Sequence, residues 1–300
     1  MKIVFMGTPE FAVPSLEILM QHQLVVAVVT APDKPKGRGL QMTESAVKIC
    51  AAKNNIPVLQ PANLKSPEFI ETLKSYAADL QVVAAFRMLP EAVWSMPRLG
   101  TFNLHASLLP DYRGAAPVNW AIINGEKETG LTTFLLQKDI DTGNILFQEK
   151  ESIRPDDTAG TLYERLMHKG AKLVLKTAQA IDRQAVCATP QPVGQYKTAP
   201  KIFKETCEID WRKSSVEIQN FVRGLSPYPC AWTTIQGAVF KVFACQTADY
   251  QNDSQTLACD NKNYLYLKSG DGWISLTECQ PQGKRRMTIQ EFLRGHKISA

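Results

Sequence analysis

The chain has 300 residues, enough for two domains and for a core that needs no disulfide or metal staple. Apolar residues make up 44% and charged residues 21%, a globular balance that excludes a disordered or fibrous chain. No apolar run approaches the roughly 20 residues that span a bilayer, and the net charge of +5 is only a faint sign of a polyanionic partner.

The opening Met1–Gly7 has one basic residue and too short an apolar run for a signal peptide. Lys2–Met6 reads instead as a buried strand, and Pro9–Gln21 carries helical spacing with Pro9 in its first turn. Leu24–Thr30 is a second strand, Thr43–Asn54 a helix, Ser66–Ala78 another helix, and Leu80–Phe86 a third strand. A further strand leads into Asn103 and His105. Leu131–Gln137 and Ile145–Glu149 follow as strands, and Asp157–Ile181 is a long amphipathic helix with a capping pair at its start. This alternation predicts an α/β fold, a mostly parallel sheet with helices on both faces.

The rhythm changes after about residue 187. Pro190, Pro192, Gly194 and Pro200 punctuate a stretch that reads as a linker. Ala231–Ile235, Ala238–Ala244, Tyr264–Lys268 and Trp273–Leu276 are then short β-type runs between turn clusters, the pattern of a small antiparallel barrel or sandwich. Residues 201–300 hold 13 basic and 10 acidic residues against 21 and 19 in the first 200, so the smaller part is denser in positive charge. Lys284, Arg285, Arg286, Arg294 and Lys297 concentrate it near the end. A solvated face explains such a run as readily as a partner does.

Seven cysteines are scattered without a C-x-x-C pair, and the four histidines are equally dispersed. That predicts reduced thiols in a cytoplasmic protein and no metal site. The loop Gly7-Thr8-Pro9-Glu10 has one glycine where a dinucleotide fingerprint needs three, and there is no Walker sequence. Pro32–Gly39 is basic and rich in Gly and Pro. In it Lys34, Lys36 and Arg38 form either a phosphate-seeking arm or an ordinary surface loop.

Chemistry is densest between Gly100 and Trp120. On a strand, Asn103 and His105 project to the same side. An amide and an imidazole together suit attack on a carbonyl: the amide donates to a developing oxyanion and the imidazole moves a proton. Asp139 and Asp141, in a loop after the next strand, can both supply the carboxylate that orients the imidazole. A buried Asn and His that merely satisfy hydrogen bonds is the competing reading.

Asn103-Leu-His105-Ala-Ser107-Leu-Leu-Pro110, Tyr112-Arg-Gly-Ala-Ala-Pro117 and Asp141-Thr-Gly143 together resemble the signature of the 10-formyltetrahydrofolate-dependent formyltransferases. Phe5-Met-Gly-Thr-Pro-Glu-Phe11, the Pro32–Gly39 loop, Ala199-Pro-Lys201, Ile209-Asp-Trp211 and Val222–Pro229 resemble the branch of that family that acts on methionyl-tRNA. The resemblance implies a Rossmann-like catalytic domain over residues 1–187, a linker over 188–200 and an OB-like C-terminal β-barrel over 201–300. It implies transfer of formyl from 10-formyltetrahydrofolate to the α-amine of methionyl initiator tRNA, with the 201–300 barrel as a tRNA-binding domain, without a metal and without a membrane, a monomer being the simplest state. Asn103, His105 and Asp141 take the catalytic roles. Ser107, Leu108, Leu109, Pro110, Phe86 and Met88 contact the folate, and Lys34, Lys36 and Arg38 meet tRNA. Phe86-Arg87 stands where the family usually has Tyr-Gly, and Asp139 where it often has glycine.

Two rivals share parts of this pattern. Formylation of an amino-sugar nucleotide uses the same three residues but needs no basic loop. A non-catalytic RNA-binding module accounts for the basic C-terminal part but leaves Asn103, His105 and Asp141 without a task.

Overall fold

The computed structural model describes residues 1–36, 41–252 and 254–299. They form two compact units. One comprises Met1–Gly114, Thr129–Glu151 and Tyr163–Thr198, the other Ala115–Glu128, Ser152–Leu162 and Ala199–Ala300.

The first unit is built on a seven-stranded sheet. Its strands are β1 (Lys2–Gly7), β2 (Leu24–Val29), β3 (Val58–Leu59), β4 (Leu80–Ala84), β5 (Thr101–His105), β6 (Glu128–Leu135) and β7 (Ile145–Ser152). Their spatial order is β7-β6-β5-β4-β1-β2-β3. β1 runs parallel to β2 and β4, β2 to β3, and β4 to β5, whereas β6 runs antiparallel to β5. Strands buried on both faces read as apolar runs; β1 and β2 are of that kind, and β4 is interrupted only by the buried Gln81. The order reverses around β1, so the carboxyl ends of β1, β4 and β5 open the crevice where α/β sheets place their chemistry.

Helices α1 (Val13–His22), α2 (Ala46–Lys53), α3 (Pro67–Ser75) and the single turn α4 (Glu91–Trp94) connect these strands. The helix expected over Pro9–Gln21 is divided. Glu10–Ala12 is a 3₁₀ turn, and the α-helix starts at Val13 with Pro14 in its first turn. The strand expected to reach Phe86 ends at Ala84, because Ala85 adopts φ 48°, a left-handed conformation that no strand continues through.

Two further helices are α5 (Pro117–Ile123) and α6 (Ala159–Asp182). Thr158 and Thr161 exchange backbone–hydroxyl hydrogen bonds at the start of α6, and Thr161 also donates to Asp157. A Cβ on Gly170 of α6 would meet Leu104 at 2.7 Å, so the glycine lets α6 lie close on β5. Thr177 of α6 bonds Thr133 of β6 at 2.9 Å. Leu104 therefore faces α6, and Asn103 and His105 face the other side of the sheet.

The second unit carries an antiparallel sheet of β8 (Ala231–Ile235), β9 (Ala238–Ala248), β10 (Leu257–Cys259), β11 (Leu265–Lys268), β12 (Trp273–Pro281) and β13 (Met287–Thr288). Its order is β8-β9-β12-β11-β10, with β13 on β12. The sheet curls into a half-barrel, with register breaks between Val242 and Cys245 of β9. Helices α7 (Ser215–Leu225) and α8 (Ile289–Gly295) pack against it. Ile218, Val222, Phe292 and Leu293 join Val242, Leu265 and Ile274 in one core. Both helices begin with reciprocal capping boxes, Ser214 with Glu217 and Thr288 with Glu291. Within this unit Asn119 of α5 donates to Gly224 O of α7 at 2.8 Å. All seven cysteines are free thiols. Among the described residues no helix is long and apolar enough to cross a membrane.

Candidate active site

Asn103 and His105 occupy the last turns of the pleat on β5, opposite Phe134 and Thr132 of β6. His105 is 6% exposed. Its Nε2 lies 2.8 Å from the carbonyl of Tyr112, which can only accept, so Nε2 carries a hydrogen. Nδ1 then turns to Asp141, whose Oδ2 is 3.7 Å away. That oxygen also accepts the backbone N–H of Gly114 at 2.9 Å. Asp141 sits at φ 54°, so a local backbone conformation uncommon for a non-glycine residue presents its carboxylate to the ring. The side chain of Asn103 is half-buried and has no hydrogen-bond partner among the described residues.

Of the two candidate aspartates, Asp141 is the one beside His105. Asp139 is exposed, and its carbonyl accepts from Thr142 Oγ1 at 3.1 Å. The turn closes tightly at Gly143, where a Cβ would lie 1.6 Å from Leu135 O. Gly143→Ala is therefore expected to cost about 1–3 kcal/mol and to cut activity by displacing Asp141. Thermal melting and steady-state rates check this, and an unchanged melting temperature would show the turn to be compliant.

Ser107–Pro110 leave β5 as a pinned loop. Ser107 Oγ donates to Asp111 O at 2.6 Å, and Thr132 Oγ1 donates to Ser107 O at 2.7 Å while accepting Leu109 N at 3.1 Å. Gln148 Nε2 donates to both Leu109 O and Thr132 Oγ1. Neither Thr132 nor Gln148 was visible in the sequence as part of the site. Their partners in the Ser107–Pro110 loop are 23–39 residues away, and no local pattern marks them.

Phe86 is half-buried and packs with Trp94 and Met96 against the core beneath β1, β2 and β4. Met88 is 72% exposed. It lines an open cleft of about 490 Å³ with Asn63, Leu64, Lys65, Trp94 and Lys138. Among the described residues, Phe86 and Ser107–Pro110 lie outside that lining. Arg87 donates to Ala62 O at 3.0 Å and to Pro61 O, and its guanidinium lies 5.7 Å from the Phe86 ring centre. The cleft thus joins apolar Leu64, Met88, Leu89 and Trp94 to three cations, Lys65, Arg87 and Lys138, and one carboxylate, Glu91.

The basic arm starts from a fixed root. Lys48 Nζ reaches Asp33 Oδ2 at 2.5 Å and Glu44 Oε1 at 2.8 Å, and Gln60 Nε2 reaches Asp33 Oδ1 at 2.7 Å. The hydrogen bond from Lys48, with that from Gln60, holds the Asp33 carboxyl below its ordinary range. Beyond this root, Lys34–Lys36 pairs antiparallel with Gln41–Thr43, and Lys34 is exposed. Arg38 lies outside the described residues. Among those described, no group of three His, Cys, Asp or Glu side chains could hold a metal ion.

Two family models match the chain: Formyl transferase over residues 1–178, and Formyl transferase, C-terminal domain, over 201–297. The fold is that of a Rossmann-like enzyme with an appended β half-barrel. The chain belongs to the formyltransferase family. It is 51% identical to the methionyl-tRNA formyltransferase of Azobacteroides pseudotrichonymphae, over 98% of this chain and 96% of that protein. It is 47% identical to the methionyl-tRNA formyltransferase of Bacteroides thetaiotaomicron, over 100% and 97%. Among solved structures, the sugar 3N-formyl transferase WlaRD, in the presence of dTDP and 5-N-formyl-THF, superposes with a TM-score of 0.68 at 22% identity, covering 95% of this chain and 99% of its own. HypX from Aquifex aeolicus in complex with tetrahydrofolic acid gives 0.65 at 18% identity, over 100% of this chain and 48% of that one. These two likenesses concern the fold.

Proposed function

We propose that this protein transfers the formyl group of 10-formyltetrahydrofolate to the α-amine of methionine esterified to initiator tRNA, in the cytoplasm. One observation supports the reading: His105 lies beside Asp141 and two residues after Asn103 on the same strand, in a chain similar to methionyl-tRNA formyltransferases along its whole length.

The amine attacks unprotonated, and the formyl carbonyl becomes a tetrahedral centre with an anionic oxygen. The free amide of Asn103 donates to that oxygen, an interaction worth about 3–4 kcal/mol. As the bond between the formyl carbon and nitrogen 10 of the folate breaks, the proton lost by the attacking amine passes to nitrogen 10 by way of His105 Nδ1. Asp141, 3.7 Å from that atom, balances the charge that develops on the ring. Ser107–Pro110 and the Phe86–Met88 segment hold the folate, the leucines covering its aromatic part and backbone groups meeting its polar edge. Lys34, Lys36 and Arg38 meet tRNA phosphates.

The test is a panel: labelled 10-formyltetrahydrofolate with methionyl initiator tRNA, methionyl elongator tRNA, another aminoacyl-tRNA and an amino-sugar nucleotide. Label is expected on the methionyl initiator tRNA. Label on the sugar nucleotide alone would overturn the reading. For the arm, Lys34→Ala is expected to raise the KM for tRNA several-fold and leave the KM for folate unchanged. It should also flatten the salt dependence of tRNA binding by about 0.9 in log–log slope, the share of one duplex phosphate. A rise in folate KM instead would move Lys34 to the other substrate.

A further inference from the structure

The aspartate of the site is held by more than its own turn. Gln191, far along the chain, places its side-chain amide between the Asp141 turn and the segment before Gly114. Its Nε2 donates to Asp141 O and to Gly143 O, both at 2.8 Å. Its Oε1 accepts from Arg113 Nη2 at 2.6 Å and Nε at 3.2 Å. Gly114, next to Arg113, donates its N–H to Asp141 Oδ2 at 2.9 Å. A ring closes: Asp141 carboxylate, Gly114 N–H, Arg113 guanidinium, Gln191 amide, Asp141 carbonyl. Residue 189 is itself fixed by a bridge to Ile145, through Ile145 N to Thr189 O at 2.8 Å and Thr189 N to Ile145 O at 2.9 Å.

We propose that Gln191 is a positioning residue for the formyl transfer, setting Asp141 at its working distance from His105. The inference rests on the reading of Asp141 given above. An amide suits this place for a definite reason. Two carbonyls need donors and a guanidinium needs an acceptor, and glutamine alone among side chains of this length offers both. Glutamate keeps the acceptor for Arg113 but opposes the two carbonyls with a second acceptor. A left-handed aspartate is also a conformation that its surroundings must over-determine, and Gln191 bonds the carbonyls at both ends of the Asp141–Gly143 turn.

The experiment uses the full chain with 10-formyltetrahydrofolate and methionyl initiator tRNA. Gln191→Met is expected to lower kcat about 10- to 100-fold, the usual cost of a misplacement near 1 Å, with both KM values within about twofold. Asp141→Asn and the double variant complete a cycle. If Gln191 acts through Asp141, adding Gln191→Met to Asp141→Asn lowers the rate by less than about twofold more. Gln191→Glu, which keeps its Arg113 pairing, is expected to lose kcat to the same extent. A native kcat in Gln191→Met, or a double variant slower by the full product of both factors, overturns the proposal. So does loss of cooperative melting in both Gln191 variants, which would make the residue a support of the fold alone. The Asp141→Asn arm separates the two readings. If that variant keeps native activity, the role of Asp141 itself is wrong. If it is slow while Gln191→Met is not, only the role of Gln191 is wrong.

Discussion

His105→Ala is expected to reduce single-turnover formylation by about 10²- to 10⁴-fold, the range contributed by one positioned acid–base group. Binding of tRNA and folate should change little, because the ring is 6% exposed and offers little surface to a ligand. The more searching variant is His105→Gln. Its amide nitrogen can take the place of Nε2 and keep the bond now made to Tyr112 O at 2.8 Å. It has no counterpart of Nδ1 that can gain and lose a proton beside Asp141. If the imidazole serves to hold the Tyr112 loop, Gln restores activity. If it moves a proton, Gln is as slow as Ala. Rapid-quench measurement of the first turnover separates the two, and fast formylation by His105→Gln would remove the histidine from the chemistry.

Much of the first unit could be read from residue order because its strands are buried on both faces. Lys2–Met6, Leu24–Thr30 and Leu80–Phe86 each match an observed strand to within two residues. Direction was harder. β6 runs antiparallel to β5, and nothing in the Leu131–Gln137 run distinguishes that from a parallel neighbour, since alternation encodes faces and not polarity. Helix α7 had a signal that went unused: Ser214 and Glu217 form a capping box three residues apart at its start. Helix α8 carries the same sign in Thr288 and Glu291.

The site divides in the same way. Asn103 and His105 stand out as candidates because they are two apart on one strand. Asp141 was legible only through resemblance, since Asp139 fits the spacing as well. What separates them is backbone: Asp141 is left-handed and receives the Gly114 N–H, and Asp139 is exposed. Gln191 was read as part of a linker. Its partners lie 48–78 positions away, beyond any local periodicity.

Asn103 bears the second large effect. Asn103→Ala is expected to lower kcat about 10²- to 10³-fold, the loss of one oxyanion donor. The structure makes this substitution unusually interpretable. Removing a buried side chain commonly orphans a partner, and the orphan's desolvation then inflates the loss. Asn103 has no hydrogen-bond partner among the described residues, so truncation leaves nothing unpaired. Melting temperature should therefore stay within a few degrees while the rate collapses. Asn103→Asp sharpens the point. It has nearly the same shape, but a carboxylate repels the anionic oxygen that the amide stabilises, so it should be slower than Ala. A pure packing role predicts the reverse order, with the isosteric Asp close to native and Ala the slower of the two. The order of the two single-turnover rates, measured at saturating tRNA and folate, decides between oxyanion donor and filler.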